Sequence, residues 1–565
     1  MEPAAAAPSK LLDANIASFH DVDVAVVGGG PAGLAAAAAL AKVLPPSVSI
    51  KVYETSAALS DAGAAVGLHV NGMRALEAID PRVAHRLYAS GNYSSRQVLH
   101  DPLTGAPREV SPPFVIDHEA RLEAAGHTST MVYWNDVRTA LAELLPEGVL
   151  QPGCRLVDCA LLPLPPPSAS SADNSGDQPD GPLALQPHRY LLTLRRIAAT
   201  TTAAAAATAA GPVRANTAAS GNSSSASAVG TAGTVAEELL VRAKVVIGAD
   251  GYFSRVRRLL GDGGAPAFSG RVCWRGSFPE GLMAAAGAVP LPAALASTSA
   301  RTASHRWSSG FDPTERLMLL IFREGDGKGG AGGGESHGIG AWYLQAPVAD
   351  LAAAGIEYPP PGLASGGLSG PLALSRALAV FSSLPADVRA LLAATPPDRV
   401  TEHGLHMHPI EGYKQGAWAF GCCVLLGDAA HAGPPDGQGL NLALEDAAVL
   451  GAVARSHGGR LGPQVFAEWE ALRQPRVAAI LGDTAPPFAR RMPAIMGAAF
   501  EPLWHPRDVL PAGGEEEQPA SVEAALEWSR RVVRVVVGQR LAALKAAEGA
   551  HAAVAPAVIA ASAPA

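Results

Sequence analysis

The sequence predicts an α/β fold, and three observations predict it. First, an apolar strand over residues 23–27 runs into a glycine-rich turn, an Ala-rich helix over 34–44 and a second strand over 48–53. Second, the order strand, polar glycine-rich loop, helix returns at 424–426, 427–441 and 442–454. Third, short runs at 188–196, 271–276, 317–322 and 340–344 read as further strands, and 239–248 reads as a strand pair or hairpin arm.

The first unit assigns a task to each residue type. Its turn is Gly28-Gly29-Gly30-Pro31-Ala32-Gly33, a G-x-G-x-x-G pattern completed by Pro31 and Ala32. Gly28 permits the tight exit from the strand, and Gly30 lets a pyrophosphate approach the backbone. Gly33 lets helix and strand pack closely. The helix N-terminus offers free N–H groups and partial positive charge to phosphates. Glu54 ends the second strand, where a carboxylate accepts ribose hydroxyls. A dinucleotide is therefore expected here. The pattern alone is weak evidence, since Gly325, Gly327 and Gly330 also match it with no helix following, and read as a hairpin loop.

Composition bounds the remaining possibilities. A chain of 565 residues with 60 Gly, 47 Pro and 5% aromatics carries padding as well as core. The padding concentrates in low-complexity insertions at 163–186 and 198–236, expected to lengthen loops between strands. A net charge of −8 argues against a nucleic-acid partner. Five cysteines without a CxxC pair read as reduced, buried thiols. Residues 281–300 lack charge but are Ala-, Gly- and Pro-rich, so no membrane span is expected. No secretory signal is visible, so the expected location is cytoplasmic, with organelle import left open. Apolar residues at helical spacing over 521–547 predict a C-terminal helix, whose domain segment is set at 519–547.

Two further motifs specify the dinucleotide. One is Gly248-Ala249-Asp250-Gly251-Tyr252-Phe253-Ser254-Arg255-Val256-Arg257. The other is Gly427-Asp428-Ala429-Ala430-His431-Ala432-Gly433-Pro434-Pro435-Asp436-Gly437-Gln438-Gly439-Leu440-Asn441. Asp428 follows a strand end, where a carboxylate accepts polyol hydroxyls, and the Gly437–Gly439 loop brings N–H groups to a ligand. Together with the first turn, these motifs resemble those of the FAD-dependent aromatic hydroxylases, the single-component flavoprotein monooxygenases. The segment 469–476 is similar to that family's helix after the third motif.

The resemblance implies a Rossmann-type FAD-binding domain, discontinuous over 20–98, 130–262 and 400–500, and a mixed β-sheet substrate domain over 99–129 and 263–399. It implies that Gly28, Gly30, Gly33 and Glu54 hold the ADP half of FAD. Asp250 and Gly251 would lie between the flavin pyrophosphate and NAD(P)H, supported by Arg257. Asp428 would bind the ribityl chain. Gly437, Gln438, Gly439 and Leu440 would face the flavin ring, Asn441 would belong to the cofactor-binding set, and Pro434 would lie beside the substrate. The implied reaction inserts one oxygen of O2 into a small, electron-rich substrate, aromatic in the family's usual case. Trp134 stands where many relatives carry Arg.

Isoprenoid epoxidases and oxidoreductases without oxygen insertion share the scaffold, as do halogenases, whose Trp-x-Trp-x-Ile-Pro signature is absent. A non-enzymatic flavin-binding protein is a further alternative. His403, His406 and His408 lack an acidic or Cys partner at ligand spacing, so no metal is assigned. His431 is expected to hold its loop. Trp274, Arg275, Trp342 and Tyr343 are pocket candidates that sheet packing would equally explain. A monomer or homodimer is expected.

Overall fold

The sheet that carries the glycine turns is parallel at its centre. Strand His20–Val27 pairs in parallel with Ile50–Tyr53 on one side and Glu238–Gly248 on the other. Cys423–Leu425 continues beyond Glu238–Gly248, again in parallel. Such strands are covered on both faces and read as continuous apolar runs. Val24, Ala25, Val26 and Val245 to Ile247 are indeed fully buried. In the computed structural model the described residues are 19–58, 65–94, 96–108, 115–163, 186–197, 237–261, 263–279, 303–308, 316–323, 339–360, 367–409, 416–433, 437–481, 495 and 527–542.

The Ala-rich composition has a packing purpose. Helix Pro31–Ala41 lies against helix Gly439–Ser456, and a Cβ added to Gly451 would sit 3.0 Å from the Ala39 Cβ. Small side chains let the two helices approach closely. The second helix begins at Gly439, three residues earlier than the sequence predicts, because its first turn includes part of the glycine loop.

The region 239–248 is one strand of 11 residues, Glu238–Gly248, and not a pair. Its first half pairs antiparallel with Tyr190–Arg196, which in turn pairs with Cys154–Leu161. The insertions at 163–186 and 198–236 therefore fall between consecutive strands of one sheet. They lie almost wholly outside the described residues.

A second sheet runs in the order Leu368–Ser369, Val400–Met407, Ala267–Pro279, Ile339–Pro347, Leu317–Arg323, Ala303–Trp307, Arg96–His100, Pro107–Arg108. Its pairs are antiparallel except Ala303–Trp307 with Arg96–His100, so the sheet is mixed. Helices Pro371–Val380 and Ala386–Ala393 cover one face. The segments 20–98 and 400–500 each lend it a strand, Arg96–His100 and Val400–Met407, so the sheet boundary departs from the expected domain boundary. Strand partners are chosen by free edges and matching faces, which sequence position does not report.

Helix Pro463–Leu481 contains the 469–476 match. The C-terminal helix spans 527–542 among the described residues; Ser529 is buried, and Val533 and Val537 pack into the first core, the apolar cluster around the parallel sheet. All five cysteines are free and buried. Among the described residues no His/Cys/Asp/Glu group could hold a metal, and no helix is long and apolar enough to cross a membrane.

Candidate active site

Three turns meet at the C-terminal ends of the parallel strands, where open α/β sheets bind ligands. In the first, Gly28 has φ +108°, and a Cβ there would collide with the Ala249 carbonyl oxygen. A Cβ on Gly33 would strike the Gly28 carbonyl oxygen. Gly30 is different: it caps helix Pro31–Ala41, and its added Cβ meets nothing within 4 Å. Pro31 occupies the start of that helix, where its missing N–H costs nothing. Ala32 approaches the third turn, 3.2 Å from a Cβ added at Gly427.

Glu54 fixes this turn from the second strand. Its Oε2 accepts from Gly29 N at 2.7 Å and its Oε1 from Ser56 N at 2.8 Å. Arg138, unremarked in the sequence, braces both partners. Its Nε donates to the Gly29 carbonyl at 2.7 Å, and its Nη2 lies 3.4 Å from Glu54 Oε1. Its guanidinium stands over the Trp134 ring at 5.3 Å. Spacing one helical turn after Trp134 is the only sequence signal for it.

In the second turn, Asp250 accepts from Ser254 Oγ at 2.5 Å, Arg255 N at 2.7 Å and Val256 N at 3.2 Å. Its carboxylate thus caps helix Arg255–Leu260, while burial pushes its pKa up. Gly251 has φ +79° and an open α-carbon. Arg257 reaches past Asp250 to the third turn, where its Nη1 donates to the Ala430 carbonyl at 3.0 Å.

Asp428 opens the third turn. It is solvent-exposed, yet burial among surrounding protein raises its carboxyl, with His431 and Arg275 pulling it back. Gly439 stands beside it, its added Cβ 3.7 Å from Asp428 Oδ1. Gly437, at φ +90°, faces His69, whose Nε2 is 3.5 Å from an added Cβ. Leu440 is half-buried against the first core. Pro434 lies outside the described residues.

Gln438 and Asn441 point into protein. Gln438 Oε1 accepts from Asn71 Nδ2 at 3.1 Å. Asn441 accepts from His69 N at 2.8 Å and donates to the carbonyls of Gly67 at 2.9 Å and Gly437 at 2.7 Å. These two side chains tie the loop to helix Val70–Ile79, leaving its backbone to face the cleft. Burial pushes His69 down to about 4, helped by the Arg121 charge, so it is neutral at pH 7. Neither Arg138 nor His69 belongs to a contiguous motif.

Beneath the loop lies a buried ionic network. His431 Nε2 contacts Asp446 Oδ2 at 2.6 Å, and Gly427 N donates to the same oxygen at 2.8 Å. Arg473 pairs with Asp446 and with Glu445, each at 2.7 Å, and Arg476 adds a contact to Glu445 at 2.9 Å. Burial alone would raise both carboxyls. The arginines hold Glu445 below its ordinary range, and His431 with Arg473 does the same for Asp446.

The second sheet closes over these turns through aromatic contacts: Tyr252 stacks on His406 at 5.7 Å, and Phe253 meets it edge-on at 4.8 Å. Of the four pocket candidates, Trp274 and Trp342 are buried on the helix side, their Nε1 groups donating to Glu402 and Thr395 at 2.8 Å. Arg275 and Tyr343 lie on the opposite face.

Together these turns define an α/β protein of the dinucleotide-binding type. A Cβ would meet nothing within 4 Å at Gly30 or Gly251, and only Asp428 Oδ1, at 3.7 Å, at Gly439, so the backbone of all three neighbouring turns is open to a ligand. The chain matches the family described as FAD binding domain over residues 21–275 and 388–484, and it belongs to that family. The resemblance read from the three motifs is thereby borne out.

Solved structures agree on the fold. CtdE in complex with FAD and substrate 4 aligns with TM-score 0.53 at 15% identity, covering 91% of this chain and 99% of that one. Klebsiella pneumoniae HpxO, complexed with FAD and uric acid, gives 0.50 at 18%, covering 92% and 95%. The 2,6-dihydroxypyridine-3-hydroxylase from Arthrobacter nicotinovorans gives 0.50 at 16%, covering 82% and 90%. Comparison with curated protein sequences gives no significant match.

Proposed function

We propose that this chain is an FAD-dependent monooxygenase that takes electrons from NAD(P)H and inserts one atom of O2 into a small, electron-rich aromatic substrate. The observation that carries the reading is the meeting of three turns with open glycine backbone at Gly30, Gly251 and Gly439, the second of which packs on the second sheet through Tyr252, Phe253 and His406. The substrates named for HpxO (uric acid) and for the Arthrobacter enzyme support a small heteroaromatic or phenolic class.

Bound FAD supplies the redox and oxygen-transfer chemistry, which no side chain can perform. The chain's own residues do the rest. The N–H groups at the start of helix Pro31–Ala41, with Gly28 to Gly33, receive the pyrophosphate. Glu54 accepts ribose hydroxyls and is oriented by Arg138. Asp428 accepts ribityl hydroxyls. The backbone of Gly437 to Leu440, at the start of an 18-residue helix, presents positive potential to the flavin edge. Asn441, Gln438 and Asn71 hold that backbone in place. Asp250, Gly251 and Arg257 shape the wall along which NAD(P)H approaches. Free, buried thiols fit a reducing compartment such as the cytoplasm.

The test is direct. The purified protein should show a flavin spectrum, and a phenol or heteroaromatic substrate should accelerate NAD(P)H oxidation with matching O2 consumption and hydroxylated product. A colourless protein that cannot be reconstituted with FAD sinks the reading. NAD(P)H oxidation without oxygenated product makes it a plain oxidoreductase.

A further inference from the structure

Helix Arg255–Leu260 leaves the Gly251 turn carrying Arg255, Arg257 and Arg258, and the three go to different places. Arg257 is buried and reaches the third turn. Arg258 is exposed. Arg255 is half-buried and crosses to strand Cys154–Leu161, where its Nη1 donates to the Val157 carbonyl at 3.1 Å. That strand carries the exposed Arg155, which register places directly opposite the exposed Arg195 of strand Tyr190–Arg196. Like charges opposed across a sheet destabilise it.

The four guanidinium groups of Arg155, Arg195, Arg255 and Arg258 act on one another. Burial, with the Arg155, Arg258 and Arg195 charges, lowers the Arg255 pKa, and Asp250 opposes them. Asp250 already accepts from Ser254, Arg255 N and Val256 N. Asp158, on the strand of Arg155, accepts from its neighbour Cys159 N at 2.9 Å. Glu238 lies 3.6 Å from Arg195, a pair more than half exposed on both sides and worth little. Residues 198–236, which join the strand of Arg195 to the next, contain no Asp or Glu. In a chain of net charge −8, positive charge is thus gathered at one place. A dianion set among these side chains would turn their mutual repulsion into attraction.

The place is the flank of the cofactor wall. On one side the cluster adjoins the Gly251 turn through Arg255. On the other, the strand of Arg155 is stitched to the Glu54 segment: Cys154 N donates to the Glu54 carbonyl at 2.8 Å and Gly153 N to that of Ser56 at 3.0 Å. The Glu54 carboxylate suits a ribose with free hydroxyls and repels one that carries a 2′-phosphate. A 2′-phosphorylated dinucleotide therefore needs a basic site elsewhere, and guanidinium forks match a phosphate monoester.

We propose that Arg155, Arg195, Arg255 and Arg258 form a site for a phosphate monoester dianion, which takes the 2′-phosphate of NADPH and makes NADPH the preferred electron donor over NADH. The pyrophosphate of FAD is the other source of such an anion, and the test separates the two.

This inference rests on the NAD(P)H reading above, and the two fail differently. A yellow protein whose flavin neither coenzyme reduces breaks that reading and the inference with it. One reduced equally well by both coenzymes breaks only the inference. Anaerobic bleaching of the bound flavin is followed against NADPH and NADH concentration in the FAD-loaded wild type, Arg155→Gln, Arg258→Gln and the double variant. Arg531→Gln removes the same charge from an exposed position on the C-terminal helix and serves as control. Calorimetry with 2′,5′-ADP and 5′-AMP gives a readout that needs no reduction, and FAD content is measured for each protein.

The wild type should half-saturate with NADPH at a ~10- to 100-fold lower concentration than with NADH, and bind 2′,5′-ADP tighter than 5′-AMP by a similar factor, as one charge-assisted contact provides. The double variant should shrink both ratios to ~3-fold or less, with the loss in half-saturation and not in the limiting rate. No preference in the wild type overturns the proposal, and so does a preference that survives the double variant. An equal loss in Arg531→Gln overturns it in favour of diffuse net charge. Loss of FAD from the cluster variants overturns it by assigning the arginines to the flavin nucleotide. If the double variant does not fold, the single variants and the wild-type ratios decide.

Discussion

The two walls of the cleft are built from different material. The cofactor wall is backbone: Gly28, Gly30 and Gly33, then Gly251, then Gly437 and Gly439, with side chains such as Glu54, Asn441 and Gln438 spent on holding it in shape. The opposing wall is side chain: Arg275, Tyr343, Gln345 and His403, carried on regular strands. A backbone wall binds groups that every member of a cofactor class shares. A side-chain wall is free to change one residue at a time without disturbing the strands beneath, and that is where discrimination between substrates belongs.

The largest expected effect would break the cofactor wall itself. Gly33→Ala places a Cβ against the Gly28 carbonyl oxygen, with no flexible atom to give way. It should cost ~3 kcal/mol or more and abolish FAD binding, read by thermal melting and flavin absorbance. Gly30→Ala is the control that separates fold from function, because its Cβ enters open space. It should melt near the wild-type temperature yet lose most bound FAD. A Gly30→Ala protein that retains FAD fully would show that no phosphate approaches there.

Next comes the ionic network under the loop. Arg473→Met leaves Glu445 and Asp446 buried without their shared partner. A loss of ~3–5 kcal/mol in urea unfolding is expected. A smaller loss than that of an exposed pair such as Arg242 with Asp21 would contradict the network's role.

Asp428→Ala should be gentler on stability, because the side chain is exposed, and should weaken FAD retention by about tenfold, one to two hydrogen bonds' worth. Dialysis against FAD-free buffer followed by flavin fluorescence measures it. Arg138→Gln should weaken retention less, since it acts through Glu54 and Gly29.

The effect that is smallest near neutral pH, and grows only on acidification, concerns His403. Burial lowers its pKa in the folded protein from 6.5 to about 3. Between those values the unfolded chain binds the proton and the folded chain does not, so stability falls as pH drops from about 6.5 toward 3. Melting temperatures over that window should decline less steeply in His403→Gln than in the wild type.

The fold was legible where local geometry demands particular residues. Gly28 and Gly33 leave no room for a side chain, so strand, turn and helix were readable around them. The strand pattern over 271–276 and 340–344 was equally clear. What the pattern could not supply was which side of each strand meets the cofactor. Trp274 and Arg275 are adjacent and looked alike as pocket candidates, yet one packs on helices and the other lies on the opposite face of the sheet. Arg257 reaches the carbonyls of Ala429 and Ala430, 172 and 173 residues along the chain, which joins two separate motifs. Arg138 and His69 carry no signature because their partners, Gly29 and Gly437, are distant in the chain.

By itself, then, the sequence determined the α/β class, the order of the nucleotide turns and the family to which the chain belongs, because a backbone that must approach a dinucleotide accepts only glycine at certain positions. The tertiary structure alone decided that strands at 96–100 and 400–407 complete the second sheet, and which of two neighbouring residues, Trp274 and Arg275, packs on its helices. Those outcomes depend on strand register and on which faces are left to pack, and a one-residue slip of register would have reversed them all.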